Sequence, residues 1–233
     1  MFTTRSGLQP VASGNRISAM NKIKLQVALD FLDLDRALAV AAQAVAGGAD
    51  YIEAGTPLIK SVGLDAVRRL RDAFPDKTII ADMKTMDAGK VETESAAKAG
   101  ANVITVLGGA PAATIAQCVE AGEHYGIKVA VDLLGVDDPA ALAVKLAELG
   151  VAWIDVHCAI DSQMTGSDPL DLLRRLRSET ELILAVAGGI NSETAAMAVS
   201  AGADVVIVGG AITKAVNPCE ATAAIRKDRK SVV

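Results

Sequence analysis

The segment Asp82-Met-Lys84-Thr-Met-Asp87 places a carboxylate on each side of a lysine. If this segment ends a strand, Asp82 and Lys84 point the same way, because strand residues two apart share a face. Asp87 then lies in the loop beyond the strand. Such an acid–lysine–acid array suits holding a lysine charged and in place while it stabilises a developing oxyanion. For Asp82 and Lys84 alone, an ordinary ion pair is the alternative.

Other polar side chains follow apolar segments that have the character of strands. Asp30 ends LQVALD, Glu53 follows Tyr-Ile, and His157 ends WIDVH. Glu53 and Asp82 offer the oxygens of a hard divalent cation site, since Mg²⁺ takes one or two carboxylates plus water and substrate oxygens. His157 is a candidate general acid or base, because imidazole titrates near neutrality. A hydrogen-bonded core histidine is the alternative.

Two glycine turns follow the last two predicted strands. One is Gly188-Gly189, and the other is Gly209-Gly210-Ala211. Glycine turns at these places expose backbone N–H groups to an anion, and phosphate sites in barrels recur after strands seven and eight. We therefore expect these residues to bind a phosphate.

An internal repeat explains how these residues come together. Four glycines, each just before an apolar segment, are separated by 52, 50 and 52 residues. They are Gly48, Gly100, Gly150 and Gly202. Each is expected to end a helix in a left-handed conformation before a buried strand begins. A second set of apolar segments lies midway, at 25–30, 78–84, 127–134 and 182–189.

Eight strands alternating with helices predict an α/β fold, a single-domain (β/α)8 TIM barrel. A doubly wound open sheet is the alternative, but no GxGxxG motif follows the first strand. In the barrel, all the strand-end residues converge on one mouth. We expect the barrel to span residues 23–225, between a flexible extension at 1–22 and a charged tail at 226–233.

Composition excludes several classes of protein. Of the 233 residues, 51% are hydrophobic, which is untypical of a disordered chain, although only 3% are aromatic. Charges interrupt every long apolar stretch, so no membrane span is expected. A net charge of −5 argues against nucleic-acid binding. Three widely spaced cysteines favour reduced thiols in a cytoplasmic protein.

The strand segments carry a family resemblance over roughly residues 24–215. LQVALD, GTPLI, DMKTMDAG, VAGGI and GGAIT resemble segments of the 3-hexulose-6-phosphate synthases. These enzymes belong to the orotidine-monophosphate-decarboxylase-like barrel superfamily, whose D-x-K-x-x-D motif matches Asp82, Lys84 and Asp87.

The resemblance implies a reversible, Mg²⁺-dependent aldol reaction, which joins D-ribulose 5-phosphate and formaldehyde into D-arabino-3-hexulose 6-phosphate. By matching position, Glu53 and Asp82 would bind the metal. Asp30 and Lys84 would contact the sugar hydroxyls and the enediolate, and His157 would transfer protons.

The resemblance also implies that Gly188, Gly189, Gly209, Gly210 and Ala211 bind the sugar's phosphate. It further implies a homodimer in which Asp87 reaches into the partner's site. One departure is His157-Cys158-Ala159, where the synthases usually carry His-Thr-Gly.

Two alternative functions stay open at this point. One is decarboxylation of 3-keto-L-gulonate 6-phosphate within the same superfamily. Those enzymes carry two arginines at the positions of Ile160 and Gly210, which favours the synthase. The other is a non-catalytic barrel that binds a sugar phosphate, against which the acid–lysine–acid array argues.

Overall fold

The computed structural model describes residues 23–157 and 169–228. Eight strands, all paired in parallel, form a closed barrel in the order β1 to β8, and β8 pairs back with β1. The predicted single-domain (β/α)8 barrel is confirmed. The strands are β1 Lys24–Leu29, β2 Tyr51–Ala54, β3 Thr78–Thr85, β4 Val103–Leu107, β5 Lys128–Asp132, β6 Trp153–His157, β7 Ile183–Ala187 and β8 Val205–Val208.

Ten helices of the described residues surround the barrel. They are α1 Leu34–Ala46, α2 Thr56–Val62, α3 Asp65–Ala73, α4 Gly89–Lys98, α5 Ala112–Tyr125, α6 Pro139–Glu148, α7 Pro169–Glu179, α8 Ala195–Ser200, α9 Gly210–Thr213 and α10 Pro218–Asp228. Residues 226–228 thus belong to α10, whereas we predicted a charged tail from 226 onward. The predicted extension at 1–22 and residues 229–233 lie outside the described residues.

Both faces of each strand are buried, which explains the continuous apolar segments of the sequence. In β1, Leu25, Val27 and Leu29 join the large apolar cluster between barrel and helices, whereas Ala28 joins a smaller cluster. That smaller cluster fills the barrel interior. Near its floor, the rings of Tyr51 and Trp153 stack with their centroids 6.4 Å apart.

The repeated glycines close the helix-to-strand turns as predicted. Their φ angles are 101° at Gly48, 97° at Gly100, 80° at Gly150 and 107° at Gly202. A side chain would be strained at such angles, so glycine is the residue that ends each preceding helix.

An acidic or amide residue recurs two positions after three of these glycines, and the structure shows why it is repeated. Asp50, Asn102 and Asp204 each accept a hydrogen bond from the backbone N–H near the start of the preceding strand. Each also accepts one from an arginine: Arg226, Arg71 and Arg177, respectively. At Gly150 the corresponding residue is Ala152, so this turn lacks both contacts.

Helices α1 and α10 pack closely where the chain closes on itself. A Cβ added at Gly47 would lie 2.3 Å from the carbonyl oxygen of Cys219 and 2.7 Å from Cβ of Thr222. Because these neighbours are backbone and a fully buried side chain, they cannot move aside easily. The contact therefore requires glycine.

We predict that Gly47→Ala destabilises the protein by about 1–3 kcal/mol, the usual cost of overpacking. This outweighs the gain of up to about 1 kcal/mol that alanine brings to a helix. The melting temperature should fall by roughly 2–4 °C per kcal/mol, as measured by thermal unfolding. Gly109→Ala is the control, because nothing lies within 4 Å of its added Cβ. Equal melting temperatures of the two variants would contradict the prediction.

Candidate active site

Lys84 lies at the end of β3, where the strand departs from regular geometry. The pairing of β3 with β4 shifts register between Ala81 and Thr85, and Lys84 has a φ of 48°. A lysine rarely adopts this left-handed conformation, which costs on the order of 1 kcal/mol or more. Its Nζ lies 3.1 Å from a carboxylate oxygen of Asp82 and 2.8 Å from Oδ2 of Asp132. The predicted proximity of Asp82 and Lys84 is thus confirmed.

Asp132, at the end of β5, links the lysine to the histidine. Its Oδ2 accepts from Lys84 Nζ and also lies 2.9 Å from Nδ1 of His157, while its Oδ1 accepts from the N–H of Leu134. Burial opposes ionisation of Asp132, but the hydrogen bond and charge of His157, with those of Lys84, hold its pKa below the usual value. Asp132 is therefore a carboxylate that fixes both neighbours.

The ion pairs of Lys84 with Asp82 and Asp132 keep the lysine charged. Burial alone would lower the pKa of Lys84, but Asp82 and Asp132 outweigh it and raise the pKa well above the ordinary value. A lysine held in this state donates hydrogen bonds and positive charge, and it cannot act as a base.

His157, at the end of β6, is oriented by its contact with Asp132. A carboxylate at Nδ1 favours the tautomer with the proton on that nitrogen, which leaves Nε2 as an acceptor. A neutral His157 therefore has its basic nitrogen on the ring edge away from Asp132.

Two threonines hold the carboxylate of Asp82. Thr105 donates to Oδ1 at 2.6 Å, and the hydroxyl of Thr56 lies 2.7 Å from Oδ2 and 2.9 Å from the Asp82 carbonyl oxygen. Thr56 opens α2 directly after β2, so the GTPL segment positions a strand-three residue. Asp82 is 5% exposed and has its orientation fixed from two sides.

Glu53, on β2, is buried beside Asp82. The amide Nε2 of Gln26 donates to its Oε2 at 2.6 Å. Burial is the main reason why the pKa of Glu53 lies well above the usual value, and the negative charges of Asp82 and Asp30 raise it further. Glu53 and Asp82 thus form a pair of oxygen donors with restricted orientation. A hard divalent cation bound between them would relieve the repulsion that arises when both are ionised.

Among the described residues, no group of three or more histidine, cysteine, aspartate or glutamate side chains is arranged to hold a metal ion. The donor set of Glu53 and Asp82 nevertheless fits Mg²⁺, which keeps several waters and uses one or two carboxylates plus substrate oxygens.

Asp30 lies at the rim, between the ends of β2 and β8. A Cβ added at Gly55 would lie 2.1 Å from its Oδ1, and one at Gly209 would lie 3.8 Å from its Oδ2. Although Asp30 as a residue is exposed, partial desolvation of its carboxylate between these turns, followed by the charge of Asp82, raises its pKa. Gly55 is therefore required for Asp30 to lie in the mouth.

Asp155 is a fifth carboxylate of the barrel interior and is 5% exposed. Its Cα pairs in register with that of Asp132, and its Oδ1 has no hydrogen-bond partner among the described residues. Burial, followed by the charges of Asp132 and Asp82, raises its pKa well above the usual value. Asp155 is thus a buried carboxyl group whose neutral, protonated form is favoured beneath the mouth.

The two glycine turns lie where they were predicted, directly after β7 and β8. Gly188 and Gly189 have φ angles of 105° and 70°, which only glycine adopts readily. A cavity of about 300 Å³ nearby is lined by Asn191 and Ala211 together with Ala221, Ala224 and Ile225 of α10, and the four glycines of the turns are not among its lining residues. Whether they bind phosphate stays a prediction.

Asp87 is not part of the charged cluster within this chain. It is exposed, and its Oδ1 accepts from the N–H of Ala88, whose φ of 51° helps to turn the chain into α4. Among the described contacts, none joins Asp87 to Lys84.

The sequence analysis assigned no role to Asp132. It assigned none to Gln26, Thr56, Thr105 or Asp155 either. Polar residues at alternate positions of otherwise apolar strands are the signal that could have found Gln26, Thr105 and Asp155. The residues Cys158, Ala159 and Ile160, which follow His157, lie outside the described residues.

Comparison with known proteins gives close relatives. The chain is 41% identical over 204 residues to a 3-hexulose-6-phosphate synthase of Mycobacterium gastri, covering 88% of this chain and 98% of the relative. A solved 3-hexulose-6-phosphate synthase from Salmonella typhimurium is 37% identical, with a TM-score of 0.87 over 91% of this chain and all of the other. The structure of KGPDC from Streptococcus mutans in complex with D-R5P is 30% identical, with a TM-score of 0.84 over 90% and 98% of the two chains.

No helix among the described residues has the length and apolar character to cross a membrane. The model of the Orotidine 5'-phosphate decarboxylase / HUMPS family matches residues 23–225. Together with the relatives that align over most of its length, this match shows that the chain belongs to the Orotidine 5'-phosphate decarboxylase / HUMPS family.

Proposed function

We propose that the chain catalyses the reversible, Mg²⁺-dependent aldol condensation of D-ribulose 5-phosphate with formaldehyde to D-arabino-3-hexulose 6-phosphate. Its 41% identity over 204 residues to a synthase of that name identifies it as a lyase. The observation that carries the proposal is Lys84, held between Asp82 and Asp132, with Glu53 buried on the neighbouring strand beside Asp82. This arrangement suits an intermediate that develops negative charge on two adjacent oxygens.

Two groups of residues in the mouth would bind the substrate, one its phosphate and the other its hydroxyl groups. Gly188, Gly189, Gly209, Gly210 and Ala211 would hold the phosphate through backbone N–H groups. Asp30, beside Gly55 and Gly209, would accept hydrogen bonds from sugar hydroxyls. The sugar would thus extend from the glycine turns toward Lys84.

The proton steps fall to His157. With Nδ1 held by Asp132, its Nε2 would take the C1 proton of ribulose 5-phosphate and leave an enediolate. Lys84 would donate hydrogen bonds to the enediolate oxygens as their charge develops. The C1 carbon would then form a bond to the carbon of formaldehyde, and the proton on His157 would pass to the new alkoxide. The product therefore contains all the atoms of ribulose 5-phosphate and formaldehyde, and nothing is released.

Glu53 and Asp82 would hold Mg²⁺, with Thr56, Thr105 and Gln26 fixing their oxygens. When bound, Mg²⁺ supplies Lewis-acid stabilisation to the sugar oxygens that become negative. The raised pKa of Glu53 predicts that this residue releases a proton when the cation binds.

We further propose a cytoplasmic homodimer with composite sites. The exposed Asp87, directly after β3, would reach the partner's Lys84 region. This is consistent with its lack of described contacts to the cluster of its own chain.

Decarboxylation of 3-keto-L-gulonate 6-phosphate is the second candidate, and the 30% identity to KGPDC is the observation that favours it. Gly210 stands where those decarboxylases carry an arginine, so the aldol reaction has the stronger support.

We predict that purified protein with Mg²⁺ consumes formaldehyde when ribulose 5-phosphate is supplied, and that EDTA stops the reaction. A colorimetric assay of formaldehyde, run in both directions, measures this. Release of CO₂ from 3-keto-L-gulonate 6-phosphate, without formaldehyde consumption, would replace the proposed reaction by decarboxylation. If the protein binds the phosphate ester but catalyses neither the aldol reaction nor the decarboxylation, it is a non-catalytic barrel.

Asp82→Asn should lower the turnover number by about 100-fold or more, because it removes a cation ligand and one partner of Lys84. Circular dichroism should show an unchanged fold, since the amide can still bond Thr56 and Thr105. The control is Asp76→Asn, an exposed carboxylate after α3. Turnover near that of the wild type would remove Asp82 from the metal site.

Composite sites can be tested by mixing two inactive variants, Lys84→Ala and Asp87→Ala. A mixed dimer would hold one intact site, made from Lys84 of one protomer and Asp87 of the other. Random exchange makes half of the dimers mixed, so activity should recover to roughly a quarter of the wild-type value. An inactive mixture, with exchange verified by two affinity tags, would place Lys84 and Asp87 in the same chain's site.

A further inference from the structure

Gln26 is a polar side chain in the apolar first strand, directly beneath the proposed metal ligands. Its neighbours Leu25 and Val27 pack outward against the helices, so Gln26 points into the barrel. It is 2% exposed, and its Nε2 donates to Oε2 of Glu53 at 2.6 Å. The two buried side chains form a direct pair between β1 and β2.

Keeping a glutamine here has a cost in stability. Its Oε1 is buried and has no hydrogen-bond partner among the described residues. A buried acceptor without a partner destabilises by about 1–3 kcal/mol. An apolar side chain would avoid this cost, as Ile207 does at the paired position of β8. The N–H group that Gln26 gives to Glu53 is therefore the feature that accounts for an amide at this position.

Glu53 depends on Gln26 more than Asp82 depends on any one donor. Asp82 receives hydrogen bonds from Thr56, Thr105 and Lys84. Among the described residues, Gln26 is the one side chain that donates to Glu53. Without it, no described side chain would hold the Glu53 carboxyl group in its orientation beside Asp82.

We propose that Gln26 is the positioning residue of the metal site, which holds the Glu53 carboxylate beside Asp82 in the orientation that a hard divalent cation requires. The inference rests on the proposed function, since that function assigns the cation to Glu53 and Asp82. A neutral donor suits this task, because it fixes an oxygen without adding a positive charge that would repel the cation.

The test measures binding of Mn²⁺, a probe for Mg²⁺, to the full chain by electron paramagnetic resonance of the free ion. Gln26→Leu removes the donor and should weaken Mn²⁺ binding by about 10–100-fold, the usual effect of losing a hydrogen bond to a metal ligand. Gln26→Met, unbranched and closer in shape, is the second variant in case leucine impairs folding.

Thr93→Val is the matched control. The hydroxyl of Thr93 is also buried, but it lies on α4, outside the barrel. This change should leave Mn²⁺ affinity within twofold of the wild type. Raising Mg²⁺ should restore turnover of Gln26→Leu, because a positioning residue changes the cation requirement more than the saturated rate.

The outcomes separate the inference from the proposed function. If the wild type binds Mn²⁺ and folded Gln26→Leu and Gln26→Met bind it equally well, Gln26 has no positioning role and the function is unaffected. If the wild type binds no Mn²⁺, the metal site and the role of Gln26 both fail. Weaker binding in the two Gln26 variants alone supports the inference.

Discussion

The crowding of carboxyl groups in the mouth of the barrel is the constraint on which the rest of the site depends. Glu53, Asp82, Asp132 and Asp155 are buried around a single lysine, with Asp30 at the rim. Charges so close in a protein interior repel strongly. The raised pKa values of Glu53 and Asp155 follow first from burial and then from this repulsion. The arrangement is one that a cation and a cationic lysine stabilise together.

The barrel makes such a cluster possible because its stability comes from elsewhere. Apolar side chains fill the space between strands and helices, and the Tyr51–Trp153 stack lies near the floor. The interior above the floor is then available for polar residues. The irregular end of β3 places Lys84 between Asp82 and Asp132, so local backbone strain is used where the charges must meet.

The sequence predicted the barrel well, because a repeat of about 50 residues reports directly on alternating strands and helices. It also predicted that Asp82 and Lys84 meet, since both lie on one strand. Contacts between strands were harder to foresee. Asp132 lies 48 positions from Lys84, and its contact follows from a register shift that no local pattern encodes. The donors Thr56, Thr105 and Gln26 resemble ordinary strand and helix residues until the closed barrel brings them to the carboxylates.

The choice of donors around the two proposed metal ligands follows a physical logic. Thr56, Thr105 and Gln26 are neutral, so they fix carboxyl oxygens without adding positive charge to the site. An arginine at any of these positions would hold an oxygen more strongly but would also cancel the field that draws a cation. Lys84 is the exception, and its second partner, Asp132, compensates its charge. The site therefore keeps oxygens of Glu53 and Asp82 open to a cation while Lys84 presents a positive group where substrate oxygens would become anionic.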